Sequence, residues 1–224
     1  TIQPLIFVLM FRYVFGRPIH IPGVSYVNYL MPGIWIQTIA FGAVTTAVGL
    51  AEDLQLGLLE RFRSLPMARS AVLLGRTAAD LVRNAFVVAL MTAVGYLVGF
   101  RCQTNVFGLI AGVTLVLMFA YSLSWVFSFI GLSTPNAEAA QAASFPIIAI
   151  FVFASSAFVP VVTMPGALQA FAKNQPVTIV INAVRVLVLG GPNTTVKVLS
   201  ALAWIVGIVV VFAPLAVWRY RRVA

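Results

Sequence analysis

"YLMPGIWIQTIAFGAVTTAVGLAEDLQLGLLERFRSLPMARS", Tyr29 to Ser70, decides the fold class. Tyr29 to Ala51 holds no charged residue, and Glu52, Asp53, Glu60, Arg61, Arg63 and Arg69 follow within nineteen positions. A span of about 20 apolar residues crosses a hydrocarbon core of roughly 30 Å. The charge that begins at Glu52 is therefore read as the place where the chain leaves the membrane.

The rest of the chain repeats this pattern. Of 224 residues 62% are hydrophobic and 8% charged, against about 45–50% apolar in a soluble domain. Nineteen charged residues could not cover the surface of a water-soluble protein of this size. The apolar runs are continuous, where a β-barrel would alternate. The class expected is an all-α, multi-pass integral membrane protein forming a single domain over 1–224.

Six spans are expected: Ile2 to Phe15 as the end of a first, then Tyr29–Ala51, Ala71–Phe100, Val106–Leu132, Ala142–Val159 and Val198–Trp218. The chain begins at Thr1 and is apolar from Ile2, so an upstream piece is expected. The third helix would be about 45 Å long at 1.5 Å per residue, and its start (Arg76, Asp80, Arg83, on one face) is placed at the bilayer edge as a self-neutralising charge cluster. Pro160 to Pro192 is broken by prolines and carries Asn182 and Arg185. It is read as two short helices forming an extracellular re-entrant hairpin between spans five and six.

Arg61, Arg63, Arg69, Arg76, Arg83, Arg219, Arg221 and Arg222 fall on one side of this topology. Arg17, Arg101, Lys173, Arg185 and Lys197 fall on the other. The positive-inside bias puts the first group, and both termini, in the cytoplasm. The net charge of +9 is spent flanking apolar spans, so lipid headgroups are the expected partner and nucleic acid is not. The single Cys102 cannot form an internal disulfide.

Several chemistries lack their residues. No GxxxxGK[ST] loop occurs, so the chain is not expected to hydrolyse a nucleotide itself. The lone histidine, His20, lies in a connector, and no metal site or nucleophile–base pair is expected. Ion-driven carriers keep a carboxylate at membrane depth, whereas Glu52, Asp53, Glu60, Asp80 and Glu138 all fall at the expected cytoplasmic boundary. An ion-coupled multidrug carrier or channel is the alternative this disfavours. Energy for transport would then come from a partner.

From Glu52 to Leu65 the positions Leu54, Leu58, Phe62 and Leu65 make one helical face, with Glu60 and Arg63 able to pair. Pro66 disfavours helix at Leu65 and ends it. Two readings fit: an ordinary interfacial helix with positive-inside arginines, or a docking element for a cytoplasmic motor.

Tyr29 to Asn84 resembles the permease subunits of type-2 ABC exporters, and within them the daunorubicin/doxorubicin-resistance branch of bacterial efflux permeases. Ser155 to Gly191, "SSAFVPVVTMPGALQAFAKNQPVTIVINAVRVLVLGG", is similar to the same branch, and "ERFRSLP" and "FVP…MP…NQP" are its specific blocks. The resemblance implies a six-span half-transporter of a bacterial plasma membrane, exporting amphiphilic drug or lipid. It implies a coupling helix between spans two and three, seated on a separate ATP-binding subunit that holds ATP and Mg; this chain would bind no cofactor. Glu60, Arg61, Phe62, Arg63, Leu65 and Pro66 would form the coupling segment. Pro160, Met164, Pro165 and Pro176 would belong to the hairpin that closes the extracellular gate. A second permease, identical or a sister subunit, is implied, and so is an N-terminal interface helix, expected to be missing from the chain as it begins at Thr1. Gln37, Ser122, Ser124, Ser128, Ser155 and Ser156 are the hydroxyls and amide available to a cargo path, although each is also an ordinary helix-packing residue. The pairs Gly95–Gly99 and Gly108–Gly112 have the small-xxx-small spacing that packs membrane helices.

Overall fold

A computed structural model describes Ile6, Met10, 25–57 and 69–223. Among these residues all regular structure is helical. The helices are α1 (Tyr26–Gln55), α2 (Arg69–Val98), α3 (Val106–Ser133), α4 (Ala137–Phe153), α5 (Gly166–Asn174), α6 (Pro176–Leu189) and α7 (Thr194–Val223), with a 3₁₀ turn at Val161–Thr163.

Four helices are long and apolar enough to cross a bilayer: α1, Leu73–Val98 of α2, α3, and Thr194–Arg222 of α7. α4 and α6 are shorter apolar helices of 17 and 14 residues, about 26 and 21 Å long. The span expected over Ala142–Val159 thus differs from α4, which starts at Ala137 and stops at Phe153. Asn136 sets the start, its Oδ1 accepting the Ala139 N–H at 2.7 Å as an N-cap does. The stop coincides with the non-helical stretch that leads into Pro160. The span expected over Ile2–Phe15 lies outside the described residues, apart from the exposed Ile6 and Met10.

Local chemistry sets the other ends. Ser25 caps α1 and Asn105 caps α3, their side-chain oxygens accepting the Asn28 and Gly108 N–H groups. Pro176 opens α6 at a position where a missing N–H costs nothing. Pro32 sits a full turn and more inside α1. The helix at Glu52–Leu65 is also corrected at its beginning. Glu52, Asp53 and Leu54 belong to α1, and a turn at Leu56–Gly57 follows. Gly57 has φ +65°, the left-handed geometry that terminates helices, so the face drawn through Leu54 and Leu58 is interrupted there.

The described chain divides into two compact units. The first holds 25–38, Ala85–Leu117 and Phe151–Leu202. Its core is Leu30, Met31, Ile34 and Trp35 of α1 with Met91, Phe100 and the buried face of α6. Trp35 meets Phe100 edge to face at 5.8 Å. Gly33 lets the Ala157 backbone cross directly over α1, where any Cβ would strike the Ala157 carbonyl oxygen. The Gly108–Gly112 pair is used within the chain: added methyls would meet the Leu187 carbonyl and the Val188 side chain of α6.

The second unit holds 39–57, 69–84, Met118–Ile150 and 203–223. Leu50, Leu73, Trp125, Leu132, Ala216 and Tyr220 form its buried cluster, drawn from α1, α2, α3 and α7. Gly131 lies against the Ala47 backbone. At the end of α7 Arg222 stacks over Trp218 at 4.0 Å, and the Arg219 Nε donates to the Leu132 carbonyl at 3.3 Å. Aromatic and basic residues of this kind anchor a helix at a membrane interface.

Candidate functional site

The second unit carries a polar ladder between α1 and α2. On α1 the positions 42, 46, 49 and 53 recur with helical spacing, and on α2 so do 76, 80 and 83. The helices run antiparallel, so the rungs pair in reverse order. Arg83 Nη2 donates to the Gly42 carbonyl at 3.3 Å. Thr46 Oγ1 donates to Asp80 Oδ2 at 2.6 Å. The Arg76 guanidinium lies over Gly49, where a Cβ would collide with it, and reaches the Asp53 carboxylate.

The expected self-neutralising trio is therefore two separate ion pairs. Asp80 pairs with Arg83 on its own helix at 3.1 Å, while Arg76 pairs across to Asp53 on α1. Asp80, expected at the cytoplasmic boundary, is packed against α1 and is 8% exposed. A buried carboxylate is costly unless paired and hydrogen-bonded, and Thr46 with Arg83 meets both conditions.

The ladder ties the two helix ends that flank 58–68. Glu60, Arg61, Phe62, Arg63, Leu65 and Pro66 fall in that segment and lie outside the described residues.

The first unit carries a second polar constellation, on α6. Gln175, Thr178, Asn182 and Arg185 follow at i, i+3, i+7 and i+10, one stripe of the helix. All four turn to the chain that continues from α4. Gln175 Nε2 donates to the Ala154 carbonyl, and the Ser156 N–H donates to Thr178 Oγ1 at 3.2 Å. Ser156 Oγ lies 3.1 Å from Asn182 Oδ1. Arg185 Nη2 donates to the Ser156 carbonyl at 2.9 Å and to the Tyr29 carbonyl at 3.1 Å, and Nη1 donates to Asn182 Oδ1 at 2.9 Å. The guanidinium also stacks on the Tyr29 ring at 3.7 Å. Tyr29 and Tyr26 donate their hydroxyls to the carbonyls of Ser156 and Phe158.

The physical demand behind this stripe is plain. Residues 154–158 are not helical, and Ser155 to Phe158 are buried. Irregular backbone in apolar surroundings is tolerated only where protein groups satisfy its N–H and C=O groups. The polar face of α6 supplies those groups. The sequence signal was available as the 3-4-3 spacing of polar residues in an otherwise apolar segment, but only Asn182 and Arg185 stood out from it.

Pro160 and Pro165 precede the 3₁₀ turn and α5, Met164 lies between those two elements, and Pro176 begins α6. Two short helices are thus present where a hairpin was expected. The proposed cargo-path residues Gln37, Ser122, Ser124, Ser128, Ser155 and Ser156 are all buried. Ser122, Ser124 and Ser155 donate to carbonyls three or four residues earlier. Ser128 Oγ has no partner among the described residues. No group of three or more metal-binding side chains occurs among the described residues.

Residues 1–189 match the model of the ABC-2 type transporter domain. The chain is 34% identical, over 99% of its length and 78% of the relative's, to the daunorubicin resistance ABC transporter permease protein DrrB1 of Streptomyces coeruleorubidus. It is 28% identical over 99% of its length, and 80% of the relative's, to a Mycobacterium tuberculosis protein named "Probable doxorubicin resistance ABC transporter permease protein DrrC". It is 29% identical over 88% of its length, and 65% of the relative's, to the doxorubicin resistance ABC transporter permease protein DrrB of the same organism. With its bilayer-length apolar helices, the chain belongs to the ABC-2 type transporter family, as a multi-pass membrane permease.

Proposed function

We propose that this chain is the membrane subunit of an ATP-driven exporter of amphiphilic compounds, of which anthracyclines such as doxorubicin are the first class to test. Membership of the family implies an ATP-binding cassette partner. In this reading the partner holds ATP and Mg, and it docks on residues 58–68 between α1 and α2, with Glu60, Arg61, Phe62, Arg63, Leu65 and Pro66 as the contact. The observation that supports this placement is the Asp53–Arg76 pair: it clamps the two helix ends from which that segment emerges. A push on the segment then reaches the adjoining ends of α1 and α2 together.

The proposed topology is six spans with cytoplasmic termini in a bacterial plasma membrane, and with α5 and α6 forming the extracellular hairpin. Pro160, Met164, Pro165 and Pro176 shape that hairpin. A second permease, identical or a sister subunit, completes the path, and anionic lipids meet the basic ends of α2 and α7. Sparse hydroxyls on apolar walls suit a cargo with a large apolar surface and few polar groups.

The test is co-purification of the chain with its cognate ATP-binding subunit, parent against the double variant Glu60→Ala and Arg61→Ala, with ATP-dependent doxorubicin uptake into inverted vesicles measured in parallel. Loss of the complex, or loss of uptake from an intact complex, supports the assignment. An undiminished complex with full uptake refutes it.

A further inference from the structure

Arg185 lies on an apolar helix, and the acceptors around it are neutral: the carbonyls of Tyr29 and Ser156, and the amide oxygen of Asn182. A charge removed from water is held only where its donors are used, and an ionisable residue inside a membrane segment marks a functional element by default. Three features show what these contacts do. They join three separate stretches of chain: α1 at Tyr29, the irregular backbone at Ser156, and α6 itself. They gather several N–H donors in one planar head, a geometry that lysine cannot reproduce. They are also made without a carboxylate, so each single contact is weaker than an ion pair and the set can be broken and remade.

We propose that Arg185 is the clasp of the hairpin formed by α5 and α6, a positioning residue that holds the hairpin against α1 when no nucleotide is bound and lets go during turnover. Resting on the export reading above, this identifies which contact keeps the extracellular end sealed between cycles. Thr178 and Asn182 orient the acceptors: Thr178 fixes the Ser156 N–H, and Asn182 bridges Ser156 Oγ and Arg185. The Gly33 crossing brings the Ala157 backbone directly against α1, beside the Ser156 carbonyl that Arg185 holds.

The experiment uses the permease in membranes with its ATP-binding subunit. Cys102 is replaced by Ser, and Ala183→Cys provides a reporter thiol on α6 at a position that is 0% exposed and outside the Arg185 contacts. Labelling by a membrane-impermeant maleimide is followed with and without ATP, together with ATPase rate and doxorubicin uptake. In the Arg185 parent, labelling is slow at rest and rises with ATP. In Arg185→Gln it is at least ~10-fold faster at rest, the size expected for lost hydrogen bonds to a charged group, and ATP adds nothing further. Arg185→Lys falls between them, and ATPase rate stays near the parent's while uptake drops.

Resting labelling of Arg185→Gln as slow as the parent's overturns the proposal, and so does an intact response to ATP in that variant. If Arg185→Gln does not accumulate, Asn182→Ala is read in the same way. A partial rise in resting labelling then supports the clasp, and an unchanged rate overturns it. If ATP drives no uptake even in the parent, the export reading has failed. The resting comparison between parent and Arg185→Gln still decides whether Arg185 holds the hairpin.

Discussion

Asp53, in the last turn of α1, reaches Arg76 of α2 across Gly49, and the two side chains join the helix ends that flank residues 58–68. Both are about a third exposed or less, at 33% and 27%. The pair thus contributes on the order of 1 kcal/mol to stability, too little to be kept for stability alone. Its value in the proposed mechanism is mechanical.

The first prediction follows from that pair. Asp53→Asn and Arg76→Gln each leave the folded protein within about 1 kcal/mol of the parent, yet lower ATP-dependent uptake. The exchanged double variant, Asp53→Arg with Arg76→Asp, recovers part of it. Uptake that is unchanged in both single variants contradicts a clamping role.

The neighbouring rung has the opposite balance. Asp80 is buried and accepts from Thr46, so Thr46→Val removes a hydrogen bond to a charged group and costs about 1.5–3 kcal/mol. Asp80→Ala leaves Arg83 without its carboxylate and destabilises further, whereas Asp80→Asn keeps an acceptor for Thr46 and costs less than Asp80→Ala. Thermal unfolding in detergent measures the order: parent above Asp80→Asn, with Asp80→Ala lowest.

These two constellations show what the sequence made legible. Membrane class, helical content and the ends of α2 and α3 to within two residues followed from apolar run length and from the turn residues between runs, whereas α1 and α7 run three to five residues past their expected ends. The partner of Arg76 did not. Helical spacing places 76, 80 and 83 on one face and makes an internal trio look self-sufficient. Which residue of α1 stands opposite depends on helix register, and no single-helix periodicity carries register. Asp80 was assigned to the edge from the length of the third helix, and its burial is set by the neighbouring helix, which that length does not reveal. The α6 stripe was readable in principle from its 3-4-3 spacing, and was obscured because a proline-broken segment does not look like one helix. The proposed coupling residues Glu60 to Pro66 lie outside the described residues, so their place rests on the family resemblance.

Gly33 offers a test of the first unit's packing. Gly33→Ala puts a methyl into the Ala157 carbonyl, and overpacking of this kind costs about 1–3 kcal/mol. The neighbouring Ser156 is held by Thr178, Asn182 and Arg185 of α6, which limits how far Ala157 can shift. A fall in melting temperature for Gly33→Ala, with Gly75→Ala as a control at an open position, is the expected result. Equal melting temperatures would show that Ala157 does not cross there.

Ser128 separates packing from cargo contact. Its buried hydroxyl has no partner among the described residues, and removing an unsatisfied buried polar group is nearly neutral or stabilising. Ser128→Ala therefore unfolds at the same temperature as the parent or higher. If Ser128 faces cargo, the same variant also changes the concentration of doxorubicin at half-maximal uptake. An unchanged value assigns Ser128 to packing.

The central claim, that this permease draws its energy from a separate ATP-binding subunit, is tested most directly by reconstitution. The chain is placed in liposomes with and without its cognate ATPase, and doxorubicin movement is followed under ATP or under an imposed proton gradient. The account predicts movement only when subunit and ATP are both present, abolished when ATP hydrolysis is blocked and insensitive to collapse of the gradient. Movement by the permease alone, driven by the proton gradient without ATP, would contradict it.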